Sequence, residues 1–195
     1  MMNKSKSFKI GIIAEDDSDV DAARVLIRRI SNNKDVEIRK FVGRGCGRIK
    51  RKCMAWANIL KTKGCRYLIL IHDLDRNNLT ELKMQIDSIM NPCPIANFLV
   101  CIPIEEMEAW FLADPNAIQA VFNLPKPPII KGHPQSISSP KEKIGDLVKK
   151  YSNKKQIYLN TKHNYKIAEH LDFNKAKRCD SFVPFHNFIA SNIAN

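Results

Sequence analysis

The sequence has no hydrophobic run long enough to cross a membrane, since a helical span needs roughly 20 apolar residues in succession. Its amino terminus, MMNKSKSFKIGIIAEDD, contains one short apolar run that ends in acids. Such a run is too short for the apolar region of a signal peptide. We therefore expect a soluble, cytoplasmic protein with no membrane partner.

The six cysteines include no C-x-x-C pair and have no histidines at zinc-finger spacing. We therefore expect reduced thiols and no structural zinc site. The chain also lacks an internal repeat, a Walker motif and a dinucleotide-binding fingerprint. Its 195 residues suffice for one well-buried domain but not for two large ones.

Acidic residues are missing from 38–72, a stretch that contains ten Lys or Arg residues. The formal net charge of +12 favours a polyanionic partner such as nucleic acid, a nucleotide or an anionic membrane surface. The glycines in GRGCGRIKRK (43–52) allow the backbone to approach a phosphate closely. A solvated basic helix face is the alternative interpretation.

A second basic stretch, 141–178, has eleven basic residues against four acids. In a long polyanion such as DNA or RNA, basic residues can bind the phosphates on both sides of the reacting phosphate. We expect nucleic acid to contact Arg44, Arg48, Lys50, Arg51, Lys52 and Lys166.

Strand and helix patterns alternate over the first 122 residues. Apolar runs predict strands at 8–14, 36–42, 66–72 and 97–104, and each is followed by apolar residues at helical spacing. This order predicts an α/β fold with a four-stranded, mostly parallel sheet flanked by helices, resembling a Rossmann fold.

The second half of the chain has a different composition. Five of the ten prolines fall between Pro125 and Pro140, which indicates a loop. We expect an α/β domain at 1–123, a Pro-rich loop at 124–140 and a helical extension at 141–195 packed on the same domain. Within the extension, helices are predicted near 141–150, 164–171 and 182–192.

Acidic residues follow three of the predicted strands, at the edge where open parallel sheets bind ligands. Asp73 and Asp75 are two residues apart, so in an extended segment both side chains lie on the same side. Asp19 is about one helical turn beyond Glu15. The groups are Glu15, Asp16 and Asp17 after the first strand, Asp73 and Asp75 after the third, and Glu105, Glu106 and Glu108 after the fourth.

Each acidic group also has a structural explanation. Ser18 and Asp21 fit a capping box, and acids in a first helical turn stabilise the helix dipole. Three groups at one edge, however, repel one another unless protons or cations neutralise them. Oxygen-only ligands suit Mg²⁺ or Mn²⁺, and such an ion beside basic surfaces suits cleavage of a phosphodiester in DNA or RNA.

An acid ending strand one and a D-x-D ending strand three resemble the TOPRIM fold of topoisomerases, primases and overcoming-lysogenization-defect nucleases. The first TOPRIM motif is often E-G-x-x-E. Here EDDSD supplies Glu15 and Asp19 but has Asp16 in place of the glycine, whereas the D-x-D is intact as Asp73 and Asp75.

More specifically, EEMEAWFLAD and the later NYKIAEHLDFNKAKRCDSFVPFHNFI resemble the TOPRIM-like family DUF4276. The resemblance implies a metal-dependent nuclease, often encoded beside an ABC-type or AAA-type ATPase and acting in bacterial defence against phage. It implies metal ligands at Glu15, Asp19, Asp73 and Asp75, and catalytic roles for Glu15, Asp73, Asp75, Glu106 and Glu108. The candidates for a catalytic lysine are Lys141, Lys143 and Lys166. A homodimer is a further expected partner state.

Two other functions compete with the nuclease. The segment IIAEDDSDVDAARVLI resembles the acidic pocket of receiver domains, in which Asp16 and Asp17 would hold Mg²⁺ and Asp73 would accept a phosphoryl group. The other alternative is a non-catalytic nucleic-acid-binding subunit, whose binding would not need a divalent ion.

Overall fold

The computed structural model describes residues 9–194, apart from the side chain of Cys46. At its centre is a four-stranded sheet in the order β2-β1-β3-β4, with every neighbouring pair parallel. The predicted α/β fold with a helix-flanked parallel sheet is confirmed. The strands are β1 (Lys9–Ala14), β2 (Glu37–Val42), β3 (Cys65–Ile71) and β4 (Asn97–Cys101).

The burial of each strand reflects its position in the sheet. The central strands β1 and β3 are mostly buried, in keeping with the apolar runs KIGIIA and CRYLILI. The edge strand β2 leaves Arg39 and Lys40 exposed. The fourth strand ends at Cys101 rather than at Ile104, because Pro103 has no N–H to donate. Phe8, where the first strand was predicted to begin, lies outside the described residues.

Helices connect the strands and make up the carboxyl-terminal half. The irregular segment between α5 and α6 contains one 3₁₀ turn at Pro134–Ser136, in agreement with its many prolines. The three helices predicted in the extension are observed as α6, α7 and α9. The helices are α1 (Asp17–Ile30), α2 (Cys46–Thr62), α3 (Leu79–Ile89), α4 (Glu108–Leu112), α5 (Pro115–Phe122), α6 (Pro140–Tyr151), α7 (Asn160–His170), α8 (Phe173–Ala176) and α9 (Phe182–Asn192).

Two hydrophobic clusters cover the two faces of the sheet. On one face, Leu68 and Leu70 of β3 join residues of α2 and α3. On the other face, Ile69 and Ile71 join α1 and the helices that follow β4. Trp110 belongs to this second cluster and is fully buried, as expected for a core residue. The carboxyl-terminal helices therefore share a face of the sheet with α1, and α7 packs against α1.

Two glycines shape the turn from β2 to α2. A Cβ added to Gly43 would lie 2.6 Å from Cγ1 of Ile49, so this position has no room for a side chain. Gly45 has a φ of 120°, which residues with a side chain rarely adopt. Both glycines therefore have a structural role in starting α2 directly at the edge of the sheet.

The described part of the chain contains no helix that is both long enough and apolar enough to cross a membrane. The described cysteine side chains are free thiols, and all except Cys93 are buried. Burial raises the pKa of Cys179 to about 12, so this thiol stays protonated and unreactive at neutral pH.

Candidate metal centre

The chain stays paired beyond the ends of β3 and β4, and this pairing positions the acids. The Leu74 N–H donates to the Pro103 carbonyl over 3.0 Å. The Asp75 N–H donates to the Glu105 carbonyl over 3.2 Å. Asp75 and Glu105 have positive φ angles of 47° and 58°, so both segments turn sharply there. The acids that follow the two strands are thereby held at the same edge of the sheet, which we call the carboxylate edge.

Asp16 begins α1 at this edge. Its Oδ1 accepts hydrogen bonds from the Ser18 N–H at 2.6 Å and the Ser18 hydroxyl at 2.5 Å. In return, the Asp16 N–H donates to Oδ2 of Asp19 over 3.2 Å. The capping box is therefore Asp16 with Asp19. The predicted box of Ser18 with Asp21 is wrong, because α1 begins one residue before Ser18.

Five of the predicted site carboxylates interact electrostatically at the carboxylate edge. Asp19 and Glu108 are only 5% and 4% exposed. Burial raises the pKa of Asp73 well above its usual value, and repulsion from Asp19 and Glu108 raises it further. The interacting carboxylates are Glu15, Asp19, Asp73, Asp75 and Glu108.

The same two causes act on the neighbouring carboxyls. Burial, followed by repulsion from Asp75, raises the pKa of Glu15 from 4.5 to about 7, although the Asp73 N–H opposes the shift. Burial and the charge of Asp16 raise the pKa of Asp19 well above its usual value. In the absence of a cation, several of these groups therefore retain protons at a pH where exposed carboxyls are ionised.

Three buried side-chain atoms at the edge have no hydrogen-bond partner among the described residues: Glu15 Oε1, His72 Nε2 and Asp73 Oδ1. The His72 Nδ1 is 2.8 Å from the Asp73 carbonyl oxygen and 3.1 Å from Glu15 Oε1. Burial lowers the pKa of His72, and we assign its single proton to Nδ1, directed at the carbonyl. An unpartnered buried polar atom costs about 1–3 kcal/mol, so each marks a place where a ligand would be favourable.

Residues of the carboxyl-terminal half complete the site, and the sequence interpretation missed them. The Asn164 side-chain amide donates to Oε1 of Glu108 over 3.0 Å. The Tyr158 hydroxyl donates to the same oxygen over 3.0 Å. The Asn160 amide donates to Ser18 Oγ over 3.1 Å. Asn164 had one usable signal, since it lies one helical turn before Ile167 and Ala168 and shares their buried face of α7.

Glu106 lies at the flank of the edge, where its Oε2 accepts a hydrogen bond of 2.9 Å from the backbone N–H of Lys141. Of the three candidate catalytic lysines, Lys141 is therefore next to an acid of the site. Lys143 instead lines a groove with Ile129. Lys166 is exposed on α7 and its Nζ lies 5.9 Å from the ring centroid of Tyr165.

Lys50 is the basic residue that α2 directs towards the carboxylates. Its charge favours the ionised form of Glu15 and the neutral form of His72. Lys50 also lines a polar groove of about 360 Å³ with Asn77, Glu81 and other residues of the α3 start. The remaining basic residues predicted in this region, Arg44, Arg48, Arg51 and Lys52, are exposed.

The donor set suits a hard divalent cation. Within residues 9–194, no three His, Cys, Asp or Glu side chains are already arranged to coordinate an ion. Glu15 Oε1 and Asp73 Oδ1 are nevertheless buried acceptors without a partner, and carboxylate oxygens are the ligands preferred by Mg²⁺ and Mn²⁺. Coordination would require the carboxylates to lose protons and turn towards a common point.

A family model described as a domain of unknown function, DUF4276, matches residues 14–190. The chain belongs to the DUF4276 family. The matched range contains every acid of the carboxylate edge and the α7 residues that contact them, so the site lies wholly within the DUF4276 region. No curated protein and no solved structure is significantly similar to the chain.

Proposed function

We propose that this DUF4276 protein is a Mg²⁺- or Mn²⁺-dependent phosphodiesterase that cleaves DNA or RNA. One observation carries the proposal: buried carboxylates that repel one another meet at the carboxylate edge, with unpartnered acceptor atoms on Glu15 and Asp73. Structural carboxylates are normally hydrogen-bonded or paired with cations. Buried carboxyls whose pKa values are perturbed in this way are candidates for a functional site.

In this proposal, Glu15 and Asp73 would hold the ion, assisted by Asp19 and Asp75. A bound divalent ion supplies Lewis-acid activation of water and stabilises the charge that develops on the phosphate. Lys50 attracts the substrate phosphate to the edge. The Asn164 and Tyr158 side chains orient Glu108, which limits its rotation towards solvent.

The arrangement supports a TOPRIM-type assignment. Glu15 directly follows β1 and Asp73 follows β3, and these are neighbouring parallel strands, as expected for the E-G-x-x-E and D-x-D motifs. Asp16 replaces the usual glycine, and its φ of −136° is an extended conformation that any residue adopts. The departure from the motif therefore causes no backbone strain.

A non-catalytic nucleic-acid-binding subunit is the second candidate function. It is favoured by the absence, among residues 9–194, of side chains already arranged as a metal shell. The receiver alternative has less support. Asp16 is occupied in the helix cap, and Asp17 is exposed and paired with Lys40, so neither is free to hold an ion in the acidic pocket.

The family resemblance extends the proposal to a biological context. We propose that the protein is the effector of a bacterial anti-phage defence system and acts with an ABC-type or AAA-type ATPase. Adding such a purified ATPase, with ATP, should increase cleavage by this chain. Unchanged cleavage with ATPases encoded beside the gene would contradict this part of the proposal.

Cleavage assays test the function directly. Plasmid DNA, single-stranded DNA, tRNA and total RNA are incubated with the protein in Mg²⁺, Mn²⁺ or EDTA. Asp73→Asn/Asp75→Asn should lower metal-dependent cleavage about 100-fold or more. Asp35→Asn/Asp87→Asn removes the same charge from positions outside the carboxylate edge, exposed at Asp35 and half-buried at Asp87, and should cleave normally. Equal cleavage by both double variants would refute the proposal, and metal-independent binding without cleavage would favour the non-catalytic subunit.

A further inference from the structure

Six lysines line three adjoining grooves around the carboxyl-terminal half of α6. Lys150 borders all three grooves, and Tyr151 and Asn153 each border two. One acid, Asp146, accompanies them. We call this the lysine surface, and its members are Lys126, Lys131, Lys143, Lys149, Lys150 and Lys154.

The charge of the lysine surface is not neutralised within the protein. In the part of the chain that the structure describes, no ion pair engages any of these six ammonium groups. Five of the six lysines are exposed, and Lys143 is half-buried. Like charges gathered on one surface repel one another, so an anionic partner that spans several of them would bind favourably.

We propose that the lysine surface binds the phosphate backbone of double-stranded nucleic acid and thereby holds a duplex across the carboxylate edge. The proposal rests on the phosphodiesterase function proposed above, since it names the substrate form for that site. It adds a binding surface that lies outside the basic helix α2.

Helix α6 runs from the flank of the carboxylate edge to the lysine surface. At its start, the Lys141 N–H is bonded to Glu106 at the flank of the carboxylate edge. Lys150 lies nine residues further along the helix, which is about 14 Å at 1.5 Å per residue. With a rise of about 3.4 Å per base pair, this distance corresponds to about four base pairs of B-form DNA. A duplex of more than about four base pairs, bound at the carboxylate edge, is therefore long enough to reach the lysine surface.

The lining of the surface favours a duplex over a single strand. Proteins that bind single strands combine basic grooves with aromatic rings on which bases stack. The aromatic residue in these grooves is Tyr151, which is half-buried. Its hydroxyl accepts a hydrogen bond from the Ile129 N–H at 2.9 Å, and Lys150 Nζ lies 5.8 Å from its ring centroid. The surface thus offers charge for phosphates and little stacking area for bases.

Binding in EDTA separates this proposal from catalysis, because cleavage requires the metal. A fluorescent 20-base-pair duplex and the matching single strand are titrated with full-length protein, and anisotropy is recorded between about 50 and 200 mM salt. The test variant is Lys149→Gln/Lys150→Gln/Lys154→Gln. The control, Lys34→Gln/Lys61→Gln/Lys63→Gln, removes the same charge from exposed positions that precede β2 and β3, at the opposite edge of the sheet.

The test variant should bind the duplex at least about tenfold more weakly than wild type. The slope of log K against log salt concentration should become shallower by up to about 2.7 in the test variant, whereas the control should keep the wild-type slope. Equal losses in both variants, no binding by wild type, or tighter binding of the single strand would overturn the proposal. Displacement of the duplex by polyglutamate at equal charge concentration would assign the surface to an acidic protein and overturn it too. Lysine-dependent duplex binding in EDTA, with no cleavage when Mg²⁺ or Mn²⁺ is supplied, would refute the nuclease alone.

Discussion

Replacing Glu15 by glutamine should stabilise the metal-free protein at pH 8 and leave its stability almost unchanged near pH 4.5. Burial, followed by repulsion from Asp75, raises the pKa of Glu15 from 4.5 to about 7. The folded state therefore binds the proton more tightly than the unfolded state. The stability that this proton contributes is fully present below pH 4.5 and is lost as the pH rises to about 7. The rise of the Glu15 pKa from 4.5 to about 7 corresponds to at most about 3 kcal/mol of stability.

Urea unfolding in EDTA measures this effect, with the fluorescence of the buried Trp110 and the half-buried Trp56 as the signal. Glutamine has nearly the shape of a protonated glutamic acid and does not ionise. The difference in free energy of unfolding between the variant and wild type should therefore grow from near zero at pH 4.5 to at most about 3 kcal/mol at pH 8. Titrating groups distant from Glu15 cancel in this difference because both proteins contain them. Asp19 and Asp73 do not cancel fully, because the charge of Glu15 also raises their pKa values.

Asp35→Asn provides the control, since Asp35 is exposed and precedes β2 at the opposite edge of the sheet. Its effect on stability should be small at every pH. A Glu15→Gln variant that is destabilised by the same amount at both pH values would refute the reasoning. Such a result would mean that the pKa of Glu15 is the same in the folded and unfolded states, so that its carboxylate is not repelled in the fold.

Three further substitutions test the packing, and urea unfolding measures all three. Gly43→Ala should cost about 1–3 kcal/mol, because the new Cβ would lie 2.6 Å from Ile49 Cγ1. Gly145→Ala has open space within α6 and should gain about 0.5–1 kcal/mol; equal effects at the two positions would contradict the packing. Asn164→Ala removes a buried hydrogen bond to Glu108 and should cost about 1–3 kcal/mol, whereas an unchanged stability would show that this contact is unimportant.

The sheet was predictable from the sequence because its strands are short apolar runs with helical patterns between them. In a parallel sheet, all strand ends point the same way, so acids after β1 and β3 had to share an edge. The same logic brought Asp73 near Asp19, which lies one helical turn beyond the end of β1. These predictions needed local pattern and topology but no knowledge of side-chain contacts.

The contacts made by α7 could not be predicted in the same way. Asn160 reaches Ser18, which is 142 positions away, and no periodicity in the sequence encodes that packing. Singling out Lys50 from the ten basic residues of 38–72 also required the structure, because α2 had to be oriented before one lysine could be directed at Glu15. The capping-box error was of another kind. Asp16 and Ser18 both favour helix starts, and sequence preference alone does not separate them.

Calorimetric titration of the metal-free protein with Mn²⁺ at pH 7, in two buffers with different ionisation enthalpies, tests the central claim most directly. Coordination by Glu15 and Asp73 requires them to lose protons, so binding should release protons and the measured heat should depend on the buffer. Glu15→Gln/Asp73→Asn should abolish the binding, and Asp35→Asn should retain it. Absence of saturable binding by wild type, or equal binding by the double variant, would contradict a metal centre at the carboxylate edge.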